Sequence, residues 1–147
     1  MRPAVSVIVV NYNRRDLLER CLESLQSQSW RDFEIVVVDN GSSDGSADFL
    51  RSLQQRTALS LRLIQLPDNS GFAGGCNAGI AEARGQYIAT LNNDAEAGPE
   101  WLRELVAAIE RDSRIGMCAS KILFYGDRGR IDKAGHLIFM DGLNHGR

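Results

Sequence analysis

Apolar positions along the chain switch between two periods, and the switches mark out its elements. Ala4–Val10 (AVSVIVV) is a near-continuous apolar run rich in β-branched residues and closed by polar NYNR, which predicts a buried strand. Over Arg15–Ser29 the residues Leu17, Leu18, Cys21, Leu22 and Leu25 recur at helical spacing and line one face. Phe33–Asp39 (FEIVVVD) predicts a second strand. Its unbroken apolar run belongs in a parallel sheet covered on both faces. A turn-rich loop follows at Asn40–Ser46, with Ser43, Asp44 and Ser46 as candidate helix caps. Then come a short helix over Ala47–Arg56, a strand over Leu61–Leu66 and a helix of small residues over Phe72–Arg84. A strand over Gln86–Leu91 ends in Asn92-Asn93-Asp94. The next helix opens near Pro99, where a missing N–H is tolerated, and carries Trp101, Leu102, Leu105, Val106 and Ile109 on one face. A fifth short strand is expected over Ile115–Ser120. Beyond Lys121 the pattern thins to strand-like pieces at Ile122–Tyr125 and His136–Met140, expected to form a hairpin or flap.

Strand–helix alternation of this kind predicts an α/β fold, a Rossmann-like sandwich with a mostly parallel sheet and helices on both faces. Residues 1–120 are expected to form the α/β domain and residues 121–147 the incomplete start of a flap region. In such folds ligands sit outside the carboxyl ends of the strands. Functional weight therefore falls on the loops NYNR, DNGSSDGS and NNDAE, and on the helix-leading loop DNSGFAGG along the same edge.

Composition narrows the partners. Acidic residues slightly outnumber basic ones, 19 to 17, so no basic surplus exists to neutralise a nucleic acid. Cys21, Cys76 and Cys118 sit in apolar or small-residue runs without ligand spacing. They are read as buried free thiols in a reducing compartment, and zinc is not expected. The N-terminal apolar run is too short for a signal peptide or a membrane span. A cytoplasmic protein is the default, with membrane association only through sequence outside this chain.

Several loop residues carry candidate chemistry. Asp39 ends a buried strand, where a carboxylate either accepts hydrogen bonds from a ribose or base N–H, or is the acid of an Asx-turn. Asn92-Asn93-Asp94 ends another strand. A hard divalent cation bridging a diphosphate needs one or two protein oxygens, for which Asp94 is the natural ligand. Glu96 lies close enough to assist, and Asn92 has a ribose or an intervening water as its partner. The alternative is a capping cluster for the following helix. Gly74 and Gly75 each cost a helix about 1 kcal/mol relative to alanine. Either a ligand or backbone approaches closely there, or the helix packs tightly on the sheet. Asn77 on the same helix offers a two-sided amide. Tyr12 offers an aromatic face for a base, or covers the sheet edge. Arg14 and Arg15 contact phosphate or form a solvated helix start. His136 and His145 lack a triad pattern and are read as non-catalytic. A nicotinamide-dependent enzyme would need glycines after the first strand, where NYNRRD has none. A receiver-like domain would need an acidic pair where Asn11 and Asn13 stand.

Taken together, VSVIVVNYNR, FEIVVVDNGSSDGS, NSGFAGGCNAGIAEARGQYIATLNNDA and GPEWL resemble the family-2 glycosyltransferases of the GT-A fold, in order and spacing, over most of residues 4–102. The NND form and the GFAGGCN segment are most similar to the rhamnosyltransferase-like branch, which decorates bacterial surface polysaccharides. The resemblance implies a nucleotide-sugar site formed by Asn11, Tyr12, Asp39, Gly71, Asn77, Asn92 and Asn93. Tyr12 and Asp39 would hold a uracil or thymine and its ribose, and Asn77 would lie by the base. Asp94 would hold Mg or Mn at the position of the family's DxD aspartate, with Asn92 departing from that motif's first position. The implied donor is a UDP- or dTDP-sugar and the acceptor a glycan or lipid-linked sugar. The implied reaction is inverting displacement, with the metal stabilising the leaving diphosphate and a carboxylate deprotonating the acceptor. No residue after Glu96 matches the family's acidic pair before a helix. Asp127, Asp132 and Asp141 lack that context, so the base is expected beyond Arg147 and the chain is expected to be a donor-binding fragment prone to self-association. The competing reading is a non-enzymatic, nucleotide-binding or inert truncated domain.

Overall fold

The two most continuous apolar runs become the centre of a parallel sheet. The computed structural model describes residues 2–134 and, for the backbone, residues 136–138 and 144–146. Strands β1 (Val5–Asn11) and β2 (Phe33–Asn40) are buried along their whole length. Strands β3 (Ser60–Leu66) and β4 (Tyr87–Thr90) flank them and are partly exposed. The order is β3-β2-β1-β4, and every pairing in this sheet is parallel. Alternation alone would leave one face wet. Here Ile8, Val36 and Val38 on one face and Val7, Val9, Ile35 and Val37 on the other are all at most 1% exposed, so helices close both sides.

The connecting helices are α1 (Arg15–Gln26), α2 (Ser46–Arg56) and α3 (Gly71–Glu82). α1 stops three residues before the expected Ser29. Gln28 has turned its amide inward, where Nε2 donates to Gly98 O (2.7 Å) and Ser24 O (3.3 Å). α3 lies on the sheet through two glycines one turn apart. A Cβ on Gly75 would stand 2.6 Å from Val10 Cγ1, and one on Gly79 would stand 2.5 Å from Ile8 Cγ2 and 3.1 Å from Val38 Cγ2. Helix-to-sheet packing therefore accounts for Gly75, and Gly79 belongs to the same stripe. Gly74 instead lies against the Ser70 side chain.

The chain steps from β1 to β2 to β3 in one direction, then crosses back to lay β4 on the far side of β1. That reversal puts the topological switch point between the carboxyl ends of β1 and β4, the crevice where open α/β sheets bind ligands.

The chain divides into two compact units, Met1–Pro99 and Glu100–Arg147. The sheet and α1–α3 make up the first. The second holds α4 (Trp101–Ile109), whose Leu102 and Val106 are buried, and two antiparallel hairpins. β5 (Ile122–Phe124) pairs with β6 (Asp127–Lys133), and β7 (His136–Ile138) with β8 (Asn144–Gly146). The strand expected at Ile115–Ser120 does not form, and that stretch is irregular. IGMCAS has one β-branched residue and an early glycine, too little to hold a strand without a ladder partner. Its last residue is fixed otherwise, Trp101 Nε1 donating to Ser120 Oγ at 2.8 Å. Of the piece expected at His136–Met140, residues 139 and 140 lie outside the described residues, as do the side chains of His136 and His145 and all of Asp141. Among the described residues no helix is long and apolar enough to cross a membrane.

Candidate functional site

Two strands end in polar residues that are buried, and buried polar groups must find partners. Asn40, 2% exposed at the end of β2, holds the loop leading into α3. Its Oδ1 accepts from the backbone N–H and the hydroxyl of Ser70 (both 3.0 Å), and its Nδ2 donates to Asn69 Oδ1 (2.9 Å) and Gly71 O (3.0 Å). Gly41 follows with φ +77, and a Cβ there would stand 2.9 Å from the Asp68 backbone, so both conformation and space require glycine.

Asn11, 0% exposed at the end of β1, joins two further loops. Its Oδ1 accepts from Asn93 Nδ2 (2.8 Å), and its own Nδ2 donates to Ser46 Oγ (2.9 Å) and Ser42 Oγ (3.4 Å). Asn13, at φ 50, accepts the Ser43 N–H on Oδ1 (2.8 Å), and its own N–H donates to Ser42 Oγ (3.0 Å). Asp44 closes the knot. Its Oδ1 accepts the Ser46 hydroxyl (2.5 Å) and N–H (3.1 Å), and its Oδ2 accepts the Arg15 N–H at the start of α1 (3.0 Å). Of the three expected caps, Asp44 and Ser46 thus act together, while Gly45 occupies the cap position itself. Burial opposes charge on Asp44, but the Ser46 hydroxyl and the backbone N–H groups of Arg15 and Ser46 outweigh it and hold the carboxyl below its ordinary range.

The acidic loop after β4 is backed by α1 and by the turn that follows it. Cys21 Sγ donates to Asn92 O (3.5 Å), Ser24 Oγ accepts the Ala97 N–H (3.0 Å), and Gln28 reaches Gly98 O. The Cys21 thiol is pushed up to about 12, first by burial and then by the negative charges of Asp94 and Glu96.

A depression of ≈ 240 Å³ opens at the switch point, lined by Val10, Phe72, Asn92, Asn93 and Asp94. Asn92 and Asp94 are exposed, and Asn93 is half-buried with its amide turned to Asn11. Phe72, 60% exposed, was read in the sequence only as the start of a helix. Asp39 lies one strand over, its Cα in register with Asn11. It is 2% exposed, and its Oδ1 has no hydrogen-bond partner among the described residues. Tyr12 is 45% exposed beside this edge. Gly71 opens α3 at φ +74, its N–H donating to Asn69 Oδ1 (2.9 Å). Asn77 is exposed on α3, about 200° around the helix from each of its sheet-facing neighbours Gly75 and Gly79, and does not line the depression. Arg15 stacks over the Phe49 ring at 5.5 Å. Asn40 and Ser42 are the residues the sequence hid. Both sit in a loop whose turn chemistry was legible, but their partners lie about thirty positions away.

A larger depression, ≈ 470 Å³, lies at the opposite edge of the sheet among Arg2, Asp32, Glu34, Ser60 and Arg84. There Glu34 Oε1 accepts the Ser6 hydroxyl and the Arg84 N–H, both at 2.7 Å. That carboxylate is a clamp between β1, β2 and the entry to β4, at the end of the fold that does not bind ligands.

No group of three His, Cys, Asp or Glu side chains able to hold a metal exists among the described residues. Asp94 still suits a hard cation that takes its other ligands from a diphosphate and water, because it is an exposed carboxylate on a rigid, backed loop at the depression.

A parallel α/β sheet with an acid-bearing depression at its switch point defines the open α/β class, whose ligands sit at the carboxyl ends of the strands. The chain belongs to a particular branch of that class: the model of glycosyl transferase family 2 matches residues 6–145. It is similar to the succinoglycan biosynthesis protein ExoO of Rhizobium meliloti, 36% identical over 71% of this chain and 29% of ExoO. Among solved structures it is similar to the mannosyltransferase PcManGT of Pyrobaculum calidifontis in complex with GDP-Man and Mn2+, with a TM-score of 0.70 and 31% identity over 76% of this chain and 33% of that one. It is also similar to S. aureus TarS 1-349 in complex with UDP-GlcNAc, with a TM-score of 0.68 and 27% identity over 82% of this chain and 38% of that one. The GT-A expectation for the fold is met. The chain spans less than half the length of the curated relatives it matches.

Proposed function

We propose that this chain is the donor-binding part of an inverting, metal-dependent glycosyltransferase, and that the donor lies along the carboxyl edge of the sheet from Asp39 to Asp94. The observation that carries this reading is the Asp39 carboxylate, buried at a strand end with an oxygen left unpartnered. Leaving such a group unsatisfied costs about 1–3 kcal/mol, a penalty that a nucleoside donor of N–H or O–H would remove. Tyr12 supplies an aromatic face beside it. At the other end Asn92, Asn93 and Asp94 line the depression that takes the diphosphate, and Asp94 holds Mg or Mn there. When bound, the metal offsets charge on the departing diphosphate. Gly71 stands beside this path at the start of α3, and Asn77, on the outward side of that helix, is left out of it.

Mn2+ in the PcManGT complex supports the metal assignment. GDP-Man there and UDP-GlcNAc on TarS support a nucleotide-sugar donor without choosing its base, and the UDP- or dTDP-sugar rests on the family resemblance of the segments that carry Tyr12 and Asp39. The rhamnosyl branch rests on NND and GFAGGCN. The part of ExoO in succinoglycan biosynthesis supports a place in polysaccharide synthesis, for which a glycan or lipid-linked sugar is the acceptor we assign. Asp94 is the one carboxylate lining the depression among the described residues. The acceptor's base is therefore assigned elsewhere than in that lining.

Calorimetric titration with UDP, dTDP and GDP, each with and without Mn2+, tests the reading. At least one should bind more tightly with the metal, and Asp94→Ala should remove that increment. Absence of nucleotide binding, or an increment that survives Asp94→Ala, overturns it.

A further inference from the structure

We propose that Asn11 is a positioning residue for the donor: it fixes the loop that carries Asp94 to the loop that follows Asp39. The proposal rests on the donor-site reading above and deepens it. Asn11 is 0% exposed, and its amide is committed to the protein on both sides, Oδ1 to Asn93 and Nδ2 to Ser46 and Ser42. It has no free surface for a ligand, so any influence on the donor runs through its partners.

The connection is continuous. From the acidic loop it runs through Asn93 to Asn11, on to the Ser46 hydroxyl, and from there to the Asp44 carboxylate, which also accepts the first N–H of α1. Asp39 needs no such help, since it belongs to the central strand β2 and pairs in register with Asn11 and Gln65. Asp94 lies beyond the last residue of β4, on a loop held by side-chain bonds from Asn11 and α1 and by backbone bonds at Leu91 and Ala95. The nucleoside end of the site is therefore built by the sheet, and Asn11 ties the diphosphate end to the loop after Asp39. An amide is the side chain that suits the junction, because it accepts on one side and donates twice on the other. Asn11 and Ser46, the buried members, are satisfied by these bonds, and buried polar groups satisfied in this way hold one arrangement.

The test compares Asn11→Ala, Asn93→Ala and the double variant with the natural chain. Each is titrated with UDP, dTDP and GDP with and without Mn2+, and with the matching nucleosides. Loss of the partners that orient a metal-holding group typically costs about 10- to 100-fold in metal affinity, so Asn11→Ala should lower the metal-dependent gain by about 10-fold or more. Nucleoside affinity should stay within about twofold, and the double variant should be no worse than the worse single one. A retained metal gain, a parallel loss of nucleoside and diphosphate binding, or additive losses would overturn the proposal. If Asn11→Ala does not fold, Asn93→Ala breaks the same bond from its more exposed end and must give the same selective loss. A natural chain that shows no metal-dependent gain sinks the donor-site reading itself. One that shows the gain while the variants keep it sinks only the role of Asn11.

Discussion

Replacing Asp39 by alanine should make the empty protein more stable and a worse binder. The carboxylate is 2% exposed, with Oδ1 unpartnered among the described residues. A buried polar atom left unsatisfied costs about 1–3 kcal/mol, and more when charged. Truncation removes that penalty and leaves a small void, which returns up to about 1 kcal/mol at the usual cost per unit cavity volume. The net expectation is about 1–2 kcal/mol of added stability, or a rise in Tm of roughly 3–10 °C for a domain of this size. Binding moves the other way. A hydrogen bond to a charged group contributes about 1.5–3 kcal/mol, so nucleoside and nucleoside diphosphate should both weaken about 10- to 100-fold. Scanning calorimetry without ligand reads the first quantity and isothermal titration the second. A fall in Tm would mean that the carboxylate is stabilising where it stands, which refutes the argument from its missing partner. Unchanged nucleoside affinity would remove Asp39 from the site.

Two further outcomes follow from the geometry. A Cβ on Gly85 would meet the Ser6 backbone N and stand 2.7 Å from Val5 C, and the Gly85 N–H donates to Ser6 Oγ at 2.8 Å, so there is no flexible side chain to yield. Gly85→Ala should cost about 3 kcal/mol in urea unfolding, while Gly116→Ala, with open space around it, should cost less than about 0.5; equal costs would contradict the packing. Asp44 titrates in the folded chain below its ordinary value of 3.8, so on acidification the unfolded state takes up the proton first. Its contribution is complete above 3.8 and is lost as pH falls through the lower folded value; Asp44→Asn should flatten the drop in urea midpoint between about pH 5 and pH 2, and an unchanged slope would show that Asp44 is not responsible.

Strand and helix identities were written plainly in the period of the apolar residues. AVSVIVV and FEIVVVD have no polar face, so they had to be covered on both sides and had to lie at the centre of a parallel sheet. The strand expected at Ile115–Ser120 failed because short apolar runs do not commit a backbone unless a neighbour completes the ladder. The loops that carry chemistry were also legible, since polar clusters at the ends of buried strands fall on the binding edge of any such sheet. Glycines were half legible: a pair in a helix signals close approach, but which surface approaches is a question of partners. Tertiary structure answered it for Gly75 with Val10, and added Gly79 against Ile8 and Val38.

What the sequence alone determined, then, was periodicity, strand-end chemistry and the family these spell. What only the folded chain decided was the division of labour among similar residues. Asn11, Asn13, Asn40, Asn92 and Asn93 are alike on paper. In space Asn11 and Asn40 are sealed and bind loops to one another, whereas Asn92 faces the depression. Asp39 and Asp44 are equally acidic in sequence, yet Asp44 has its carboxylate filled by Ser46 and Arg15 while Asp39 keeps an oxygen unclaimed. The reason is physical: a side chain's role is set by which of its hydrogen-bonding atoms are already taken, and those of Asn11 are taken by residues about thirty to eighty positions away, brought together by the order in which the strands are laid down.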